Sequence, residues 1–169
     1  MVAFASIDIY LLVYFCVKTL GIYCGSFSPF HVGHLDIALK AKRMFDEVLI
    51  VRATNVDKKN QIYAFPDILK QRGFFLAVLS KDELLTDFVD NIHKKKYDWL
   101  GGDYNCVLIR GLRNEKDFEY EENLCAAYRM LKTDINIVHI FSDPKYNFVS
   151  SSLLRSYGHL EKFKGLIVK

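Results

Sequence analysis

The chain has 169 residues, of which 51% are apolar and 25% are charged, and its formal net charge is +3. This length and composition predict one globular domain with a single sizeable core. The small positive charge does not support binding to nucleic acid or to a membrane surface. The four cysteines lie far apart without a C-x-x-C pair. We therefore expect free thiols in a reducing cytoplasm rather than a disulfide or a zinc site.

Residues 1–18 are predicted to form an apolar extension of unknown role, followed by a single domain over residues 19–169. The nine residues from Ile9 to Val17 are strongly apolar, and no Lys or Arg precedes them. The charged start of a signal peptide is thus missing, and a bilayer-spanning helix needs roughly 20 apolar residues. We expect no membrane contact. An added strand, a partner-binding extension and a misassigned start codon all remain open.

Apolar runs of strand length then alternate with helix-like stretches along the chain. We predict strands over 19–25, 47–54, 88–92, 105–109 and 135–141, and helices over 33–45, 66–79, 94–100, 115–131 and 150–157. The continuous apolar centres of 47–54 and 105–109 are typical of buried parallel strands. This alternation predicts an α/β fold, a Rossmann-like doubly wound parallel five-stranded sheet with helices on both faces.

Polar clusters follow four of these strands, within residues 25–34, 57–59, 110–113 and 150–152. In a doubly wound sheet, ligands bind beyond the carboxyl ends of the strands, near the point where the strand order reverses. The four clusters are therefore expected to converge on one cleft.

The run G-S-F-S-P-F-H-V-G-H, residues 25–34, favours a phosphate site. Glycine and serine close the strand with little bulk, so backbone amides can approach an anion. His31 and His34 are three apart and can share one face beside a positive helix end. A zinc site would need further ligands, and capping or packing histidines are the other alternative.

The remaining clusters are more ambiguous by themselves. Arg110 and Arg113 precede a predicted helix, where they oppose the helix dipole unless an anion is present. Lys58 and Lys59 could equally belong to a solvated loop. The serine run 150–152 could cap the last helix instead of binding phosphate.

Residues 25–34 resemble the G-T-F-D-P-x-x-x-G-H signature of the HxGH nucleotidyltransferase superfamily. Further segments are similar to phosphopantetheine adenylyltransferases in particular, and they follow that family's order. They are F-D-E-V-L (45–49), L-I-R-G-L-R (108–113) with D-F-E-Y-E (117–121), and F-V-S-S-S-L-L-R (148–155). The resemblance covers about residues 21–157.

This resemblance implies a cytoplasmic enzyme that transfers the adenylyl group of ATP to 4′-phosphopantetheine. The products would be dephospho-coenzyme A and pyrophosphate, formed by direct in-line attack of the acceptor phosphate on the α-phosphate. It further implies a homo-hexamer. Mg²⁺ is expected on the ATP phosphates rather than on protein ligands.

Roles are implied position by position. His34, Lys58 and Arg113 would be catalytic, and Ser26, Lys58 and Arg110 would bind the acceptor. The residues implied to bind ATP are Ser26, Phe27, His34, Gly111, Leu112, Arg113, Glu121, Tyr146, Val149, Ser150, Ser151 and Ser152.

The chain departs from the family pattern mainly on the acceptor side. Ser28 stands where aspartate is common, Tyr128 stands where an asparagine usually helps to hold the pantetheine arm, and residues 79–102 match poorly. Two alternatives therefore stay open. One is a related nucleotidyltransferase acting on another phosphorylated acceptor, such as nicotinate or nicotinamide mononucleotide. The other is a non-catalytic nucleotide-binding relative.

Overall fold

The computed structural model describes residues 17–53, 65–131 and 135–169. Its strands are β1 (Lys18–Gly25), β2 (Glu47–Arg52), β3 (Phe75–Val78), β4 (Tyr104–Leu112) and β5 (Asn136–Phe141). The described helices are α1 (Val32–Ala41), α2 (Asp67–Gln71), α3 (Leu85–His93), α4 (Glu115–Leu131), α5 (Ser151–Tyr157) and α6 (Glu161–Lys164). Short 3₁₀ turns cover Asp98–Leu100 and Pro144–Tyr146.

The strands form one parallel sheet in the order β3-β2-β1-β4-β5. In the central register, Ile22 of β1 lies between Leu49 of β2 and Leu108 of β4. After β1, the chain adds β2 and β3 on one side of this strand, and it then adds β4 and β5 on the other side. The strand order therefore reverses between β1 and β4, which confirms the predicted doubly wound sheet.

Helices cover both faces of this sheet, as predicted. On one face, Ile37 and Ala38 of α1 and Leu69 of α2 pack in a buried cluster with Ile50 and Ile109. The other face carries a second cluster, in which α3 packs on β1, β2 and β4 and Tyr128 of α4 contributes a partly buried ring. Successive side chains of a strand point to opposite faces of the sheet. The buried strands therefore carry apolar side chains on both faces.

The predicted helix over 66–79 is wrong in its second half. The helix ends at Gln71, and Gly73 follows with φ of 69°, a left-handed conformation that stops a helix. Residues Phe75–Val78 then pair with β2 as the edge strand β3. The apolar run at these residues is compatible with a helix or a strand. It forms a strand because the edge of β2 offers backbone groups for pairing.

The predicted strand over 88–92 is also wrong, because these residues lie in α3. Phe88, Val89 and Ile92 are all buried, at the spacing of one helix face. Of the helix predicted over 94–100, only the 3₁₀ turn at Asp98–Leu100 forms. The sheet nevertheless has five strands, because β3 takes the place of the misassigned strand.

Cys24, Cys106 and Cys125 are buried, as expected for thiols in the core. Burial raises the pKa of Cys24 to about 11, so this thiol stays protonated at neutral pH. Within the described residues, no helix is long and apolar enough to cross a membrane. Residues 1–16, which hold most of the apolar extension and Cys16, lie outside the described part of the chain.

Candidate active site

A cavity of about 350 Å³ opens at the carboxyl ends of β1, β4 and β5, where the strand order reverses. Three of the four predicted polar clusters line it, namely residues 25–34, 110–113 and 150–152. The fourth, residues 57–59 with Lys58, lies outside the described residues. The sheet topology therefore brings distant parts of the sequence together in the predicted cleft.

The turn after β1 is held by an aromatic cluster. Phe27 has a positive φ of 45°, a conformation that non-glycine residues adopt at an energetic cost. Its buried ring lies 5.1 Å from that of Tyr23, 5.2 Å from that of Phe30 and 5.0 Å from that of His34, measured between centroids. These contacts hold the strained turn, so that Ser26 and the backbone of Phe27 border the cavity.

The two histidines of the loop are stacked, with ring centroids 3.6 Å apart. The backbone amide of His31 donates to Nδ1 of His34 at 3.3 Å. Because Nδ1 accepts this bond, the neutral His34 ring carries its proton on Nε2. Burial and the charge of Arg113 lower the pKa of His31 to about 4, so the His31 ring is neutral at pH 7.

Both arginines of the L-I-R-G-L-R segment are paired with carboxylates of α4. Arg110 donates to both carboxylate oxygens of Glu121, at 2.6 and 2.7 Å, and this pair is largely buried. Arg113 makes a similar bidentate contact with Asp117, in which both hydrogen bonds are 2.8 Å long. The chain thus supplies its own anions, and charge compensation alone does not argue for a bound anion. The pairs orient both guanidinium groups at the cavity wall.

Gly111 lies between these arginines at a point without room for a side chain. A Cβ built there would stand 2.4 Å from Cδ1 of Ile37 and 3.1 Å from the hydroxyl of Tyr23. The absence of a side chain lets β4 approach α1 closely, and this contact shapes the cavity floor. Burial raises the pKa of Tyr23, so its hydroxyl remains protonated.

The serine run serves as a helix cap and also lines the cavity. The side chain of Ser150 accepts from the amide of Leu153 at 3.1 Å and caps α5, which confirms the capping alternative for this residue. The Ser151 hydroxyl donates to the carbonyl of Pro29 at 3.1 Å, and Arg155 donates to the Ser152 hydroxyl at 3.0 Å. All three serines border the cavity.

Most of the predicted site residues in the described chain line this cavity. They are Ser26, Phe27, His34, Arg110, Gly111, Arg113, Glu121, Ser150, Ser151 and Ser152.

Three predicted residues do not line it. Leu112 and Val149 are fully buried. Val149 reaches the site only through its carbonyl, which accepts from Arg113 at 3.3 Å. Tyr146 lies beside the first turn of α1, with its Cβ 3.7 Å from the position of a Cβ built on Gly33.

The sequence analysis gave no role to several residues of the cavity wall, among them Tyr23, Asp117, Tyr120 and Ser142. Two carried a signal. Asp117 lies four residues after Arg113, a spacing at which charged side chains pair on a helix. Ser142 directly follows β5, at the same edge of the sheet as the predicted clusters.

The fold and this cleft define a Rossmann-like nucleotide-binding protein, and comparison with known proteins places it more closely. The family model described as cytidylyltransferase-like matches residues 22–157.

Two curated relatives resemble this chain over most of its length. Phosphopantetheine adenylyltransferase of Lactobacillus acidophilus is 34% identical over 149 residues, covering 85% of this chain and 86% of the relative. Phosphopantetheine adenylyltransferase of Mycoplasma capricolum is 30% identical over 149 residues, covering 85% and 99% respectively. The chain therefore belongs to the phosphopantetheine adenylyltransferase branch of the cytidylyltransferase-like family.

Solved structures share the fold at lower identity. A NadR protein in complex with NR matches with a TM-score of 0.55 and 18% identity, over 89% of this chain and 42% of that chain. A bifunctional NMN adenylyltransferase/ADP ribose pyrophosphatase from Francisella tularensis, complexed with AMP and a manganese ion, matches with a TM-score of 0.53 and 14% identity. That match covers 89% of this chain and 44% of that one. At these identities the likeness concerns the fold alone.

Proposed function

We propose that this chain transfers the adenylyl group of ATP to 4′-phosphopantetheine, giving dephospho-coenzyme A and pyrophosphate. The observation that carries the proposal is the convergence of the signature loop, the L-I-R-G-L-R segment and the serine run on one cleft. This convergence occurs in a chain that is 30–34% identical to curated phosphopantetheine adenylyltransferases.

The reaction is one displacement at phosphorus. An oxygen of the acceptor phosphate attacks the α-phosphorus of ATP, and the bond from that phosphorus to the oxygen bridging to the β-phosphate breaks. Pyrophosphate leaves with that bridging oxygen. A phosphate monoester has a second pKa near 6 and is largely dianionic at pH 7, so the attack needs no general base. Positioning and preorganised hydrogen-bond donors then supply most of the catalysis.

His34 is the donor that the geometry prepares for this step. Its Nδ1 is occupied by the His31 amide, which leaves the proton on Nε2. We assign this N–H to an oxygen of the α-phosphate, where negative charge accumulates during transfer. Its ring is held by its stacking on His31. The ring therefore needs little reorganisation during the reaction.

The remaining roles are assigned from the cleft walls. Arg113 would stabilise the phosphates, and Arg110 would contact the pantetheine part, each oriented by its carboxylate partner. Lys58 would hold the acceptor phosphate together with Ser26. The assigned ATP contacts are the backbone of Phe27 and of residues 111–112, the side chain of Glu121, and the segment from Tyr146 through Val149 to the serines 150–152.

Mg²⁺ is proposed to enter with ATP, bound to its phosphate oxygens and to water. Among the described residues, no three His, Cys, Asp or Glu side chains form a group that could hold a metal ion. We propose that the protein contacts the ion through the triphosphate.

We further propose a cytoplasmic homo-hexamer as the working form.

Pyrophosphate release tests the function directly. Full-length protein is incubated with Mg-ATP and either 4′-phosphopantetheine, nicotinate mononucleotide or nicotinamide mononucleotide. We expect release only with phosphopantetheine. His34→Ala should lower kcat at least a hundredfold, about 2.7 kcal/mol of transition-state stabilisation. His93→Ala, an exposed position at the end of α3, is the matched control and should retain full activity.

Two results would contradict the proposal. Release that depends on a mononucleotide would replace phosphopantetheine with the alternative acceptor. Release with none of the acceptors, from folded protein that binds ATP, would identify a non-catalytic nucleotide-binding relative.

A further inference from the structure

The last residues of the described chain bond to the signature loop. The amide of Val32 donates to the carbonyl of Leu166 at 3.0 Å, and the amide of Val168 donates to the carbonyl of Phe30 at 3.1 Å. His31 and Ile167 thereby form an antiparallel bridge. The segment 166–168 is thus a short strand partner for the loop that leads into α1.

Helix α5 holds the preceding residues of the same loop. Arg155 donates to the carbonyl of Ser28 at 2.6 Å, and the Ser151 hydroxyl donates to the carbonyl of Pro29. Together with residues 166–168, the carboxyl-terminal part of the chain thus engages backbone groups of Ser28, Pro29, Phe30 and Val32. These groups surround the amide of His31, which donates to Nδ1 of His34.

The segment contributes little to the core. Helix α6 has no buried residue, and residues 166–168 are only partly buried. Of the three, Val168 packs at the margin of the cluster on the α1 face. The main structural effect of the segment is therefore on the loop backbone and not on the sheet.

We propose that residues 166–168, with Arg155, are positioning residues that hold the signature loop so that His34 presents its Nε2–H to the reacting phosphate. This inference rests on the proposed function for its catalytic consequence. The segment touches neither the cavity nor the reacting atoms. It acts through the loop backbone that orients His34.

Val168→Pro tests the proposal, because proline lacks the N–H that bonds to Phe30. Lys169→Pro is the matched control, with the same residue introduced one position later, where the loop receives no bond. We expect Val168→Pro to lower kcat at least tenfold, while the KM values for ATP and for 4′-phosphopantetheine each change less than threefold. Hydrogen–deuterium exchange should quicken in a peptide covering residues 28–35 and stay unchanged in β4. Lys169→Pro should match the wild type in each measurement.

Arg155→Met provides a second test that leaves the terminal segment intact. Arg155 is an exposed residue of α5, and methionine keeps the length of its stem while removing its bonds to the Ser28 carbonyl and the Ser152 hydroxyl. The same split between kcat and KM is expected, with faster exchange in the 28–35 peptide. A melting temperature close to the wild-type value would show that the effect is local.

The outcomes separate this proposal from the proposed function. If the wild type is active and both variants keep its kcat and its exchange pattern, the positioning role is wrong and the function stands. Equal losses in kcat and in stability in both variants would also overturn it, since they indicate a purely structural segment. If the wild type shows no transfer with any acceptor, the function fails, and hydrogen exchange of the loop alone decides whether the segment holds it.

Discussion

His31 is a cleft side chain whose pKa differs strongly between the folded and the unfolded chain. Burial and the positive charge of Arg113 lower its pKa to about 4 in the folded chain, against about 6.5 in an unfolded one. Between these pH values the unfolded chain binds a proton that the folded chain excludes. The contribution of this group to stability is therefore complete above about pH 6.5 and is lost as the pH falls toward 4.

We expect His31→Gln to flatten this part of the stability curve. The pKa difference corresponds to about 3 kcal/mol between pH 7 and pH 4. Urea unfolding at several pH values gives the free energy of unfolding as a function of pH. The contribution of His31 is the difference between the wild type and the variant in the slope of this curve. The exposed His93 is the control position, and His93→Gln should leave the slope unchanged. A wild-type slope retained in His31→Gln would mean that other groups cause the pH dependence.

A substitution at Gly111 tests whether the close approach of β4 to α1 is needed for stability. Gly111→Ala places a methyl group 2.4 Å from Cδ1 of the buried Ile37. Overpacking of this kind costs about 1–3 kcal/mol. Denaturant unfolding should report this loss. Gly165→Ala is the control, because a Cβ there has no neighbour within 4 Å. Equal stability of the two variants would show that Ile37 moves aside without cost.

At the scale of elements, the connection from α2 to β3 depends on Gly73. Its φ of 69° lies in the left-handed region, where a Cβ is unfavourable. We expect Gly73→Ala to lower the free energy of unfolding by about 1–2 kcal/mol, measured by thermal unfolding. Asparagine tolerates this conformation better than alanine, so Gly73→Asn should cost less. The reverse order of the two variants would mean that the turn changes conformation on substitution.

The strongly apolar strands could be predicted from sequence, and the weaker elements could not. The runs that became β2 and β4 are fully apolar at their centres, because both faces of these strands are covered by helices. Residues 75–78 are also apolar, but this run is only four residues long and its composition suits a helix as well as the short edge strand that forms. Phe88, Val89 and Ile92 read as a strand when taken as a five-residue run, yet they form one face of α3. Short apolar runs are compatible with either structure until a packing partner is known.

At the scale of the whole molecule, α4 presents large apolar side chains to solvent. Met130 is 88% exposed, Tyr120 66% and Leu131 59% in the single chain. Large apolar side chains that stay exposed in a single chain are available for contact with a partner surface. This exposure supports the proposed homo-oligomer, in which such surface would be covered by a second copy.

We expect sedimentation to give a mass near that of six chains of 19.6 kDa, about 118 kDa for a closed symmetric hexamer. Met130→Glu should shift the distribution toward smaller species, because it places a charge on the exposed apolar surface. Met44→Glu, at a 55% exposed position after α1, controls for the added charge. A monomeric wild type would contradict the proposed hexamer, and an unaffected Met130→Glu assembly would place the interface elsewhere.

The fold class, the family and most of the candidate site could be inferred from the sequence alone. Apolar strands that are buried on both faces, and polar signatures placed directly after strand ends, are local patterns with a direct physical cause. Lys58 stays a prediction, because it lies outside the described residues.

Which of these groups meet depends on how the elements pack in three dimensions. The pairing of Arg110 with Glu121 and the bonds from residues 166–168 to the loop join separate parts of the structure. The pairing register of the sheet and the packing of helices on it bring these residues together, and neither is encoded in any short run of the sequence.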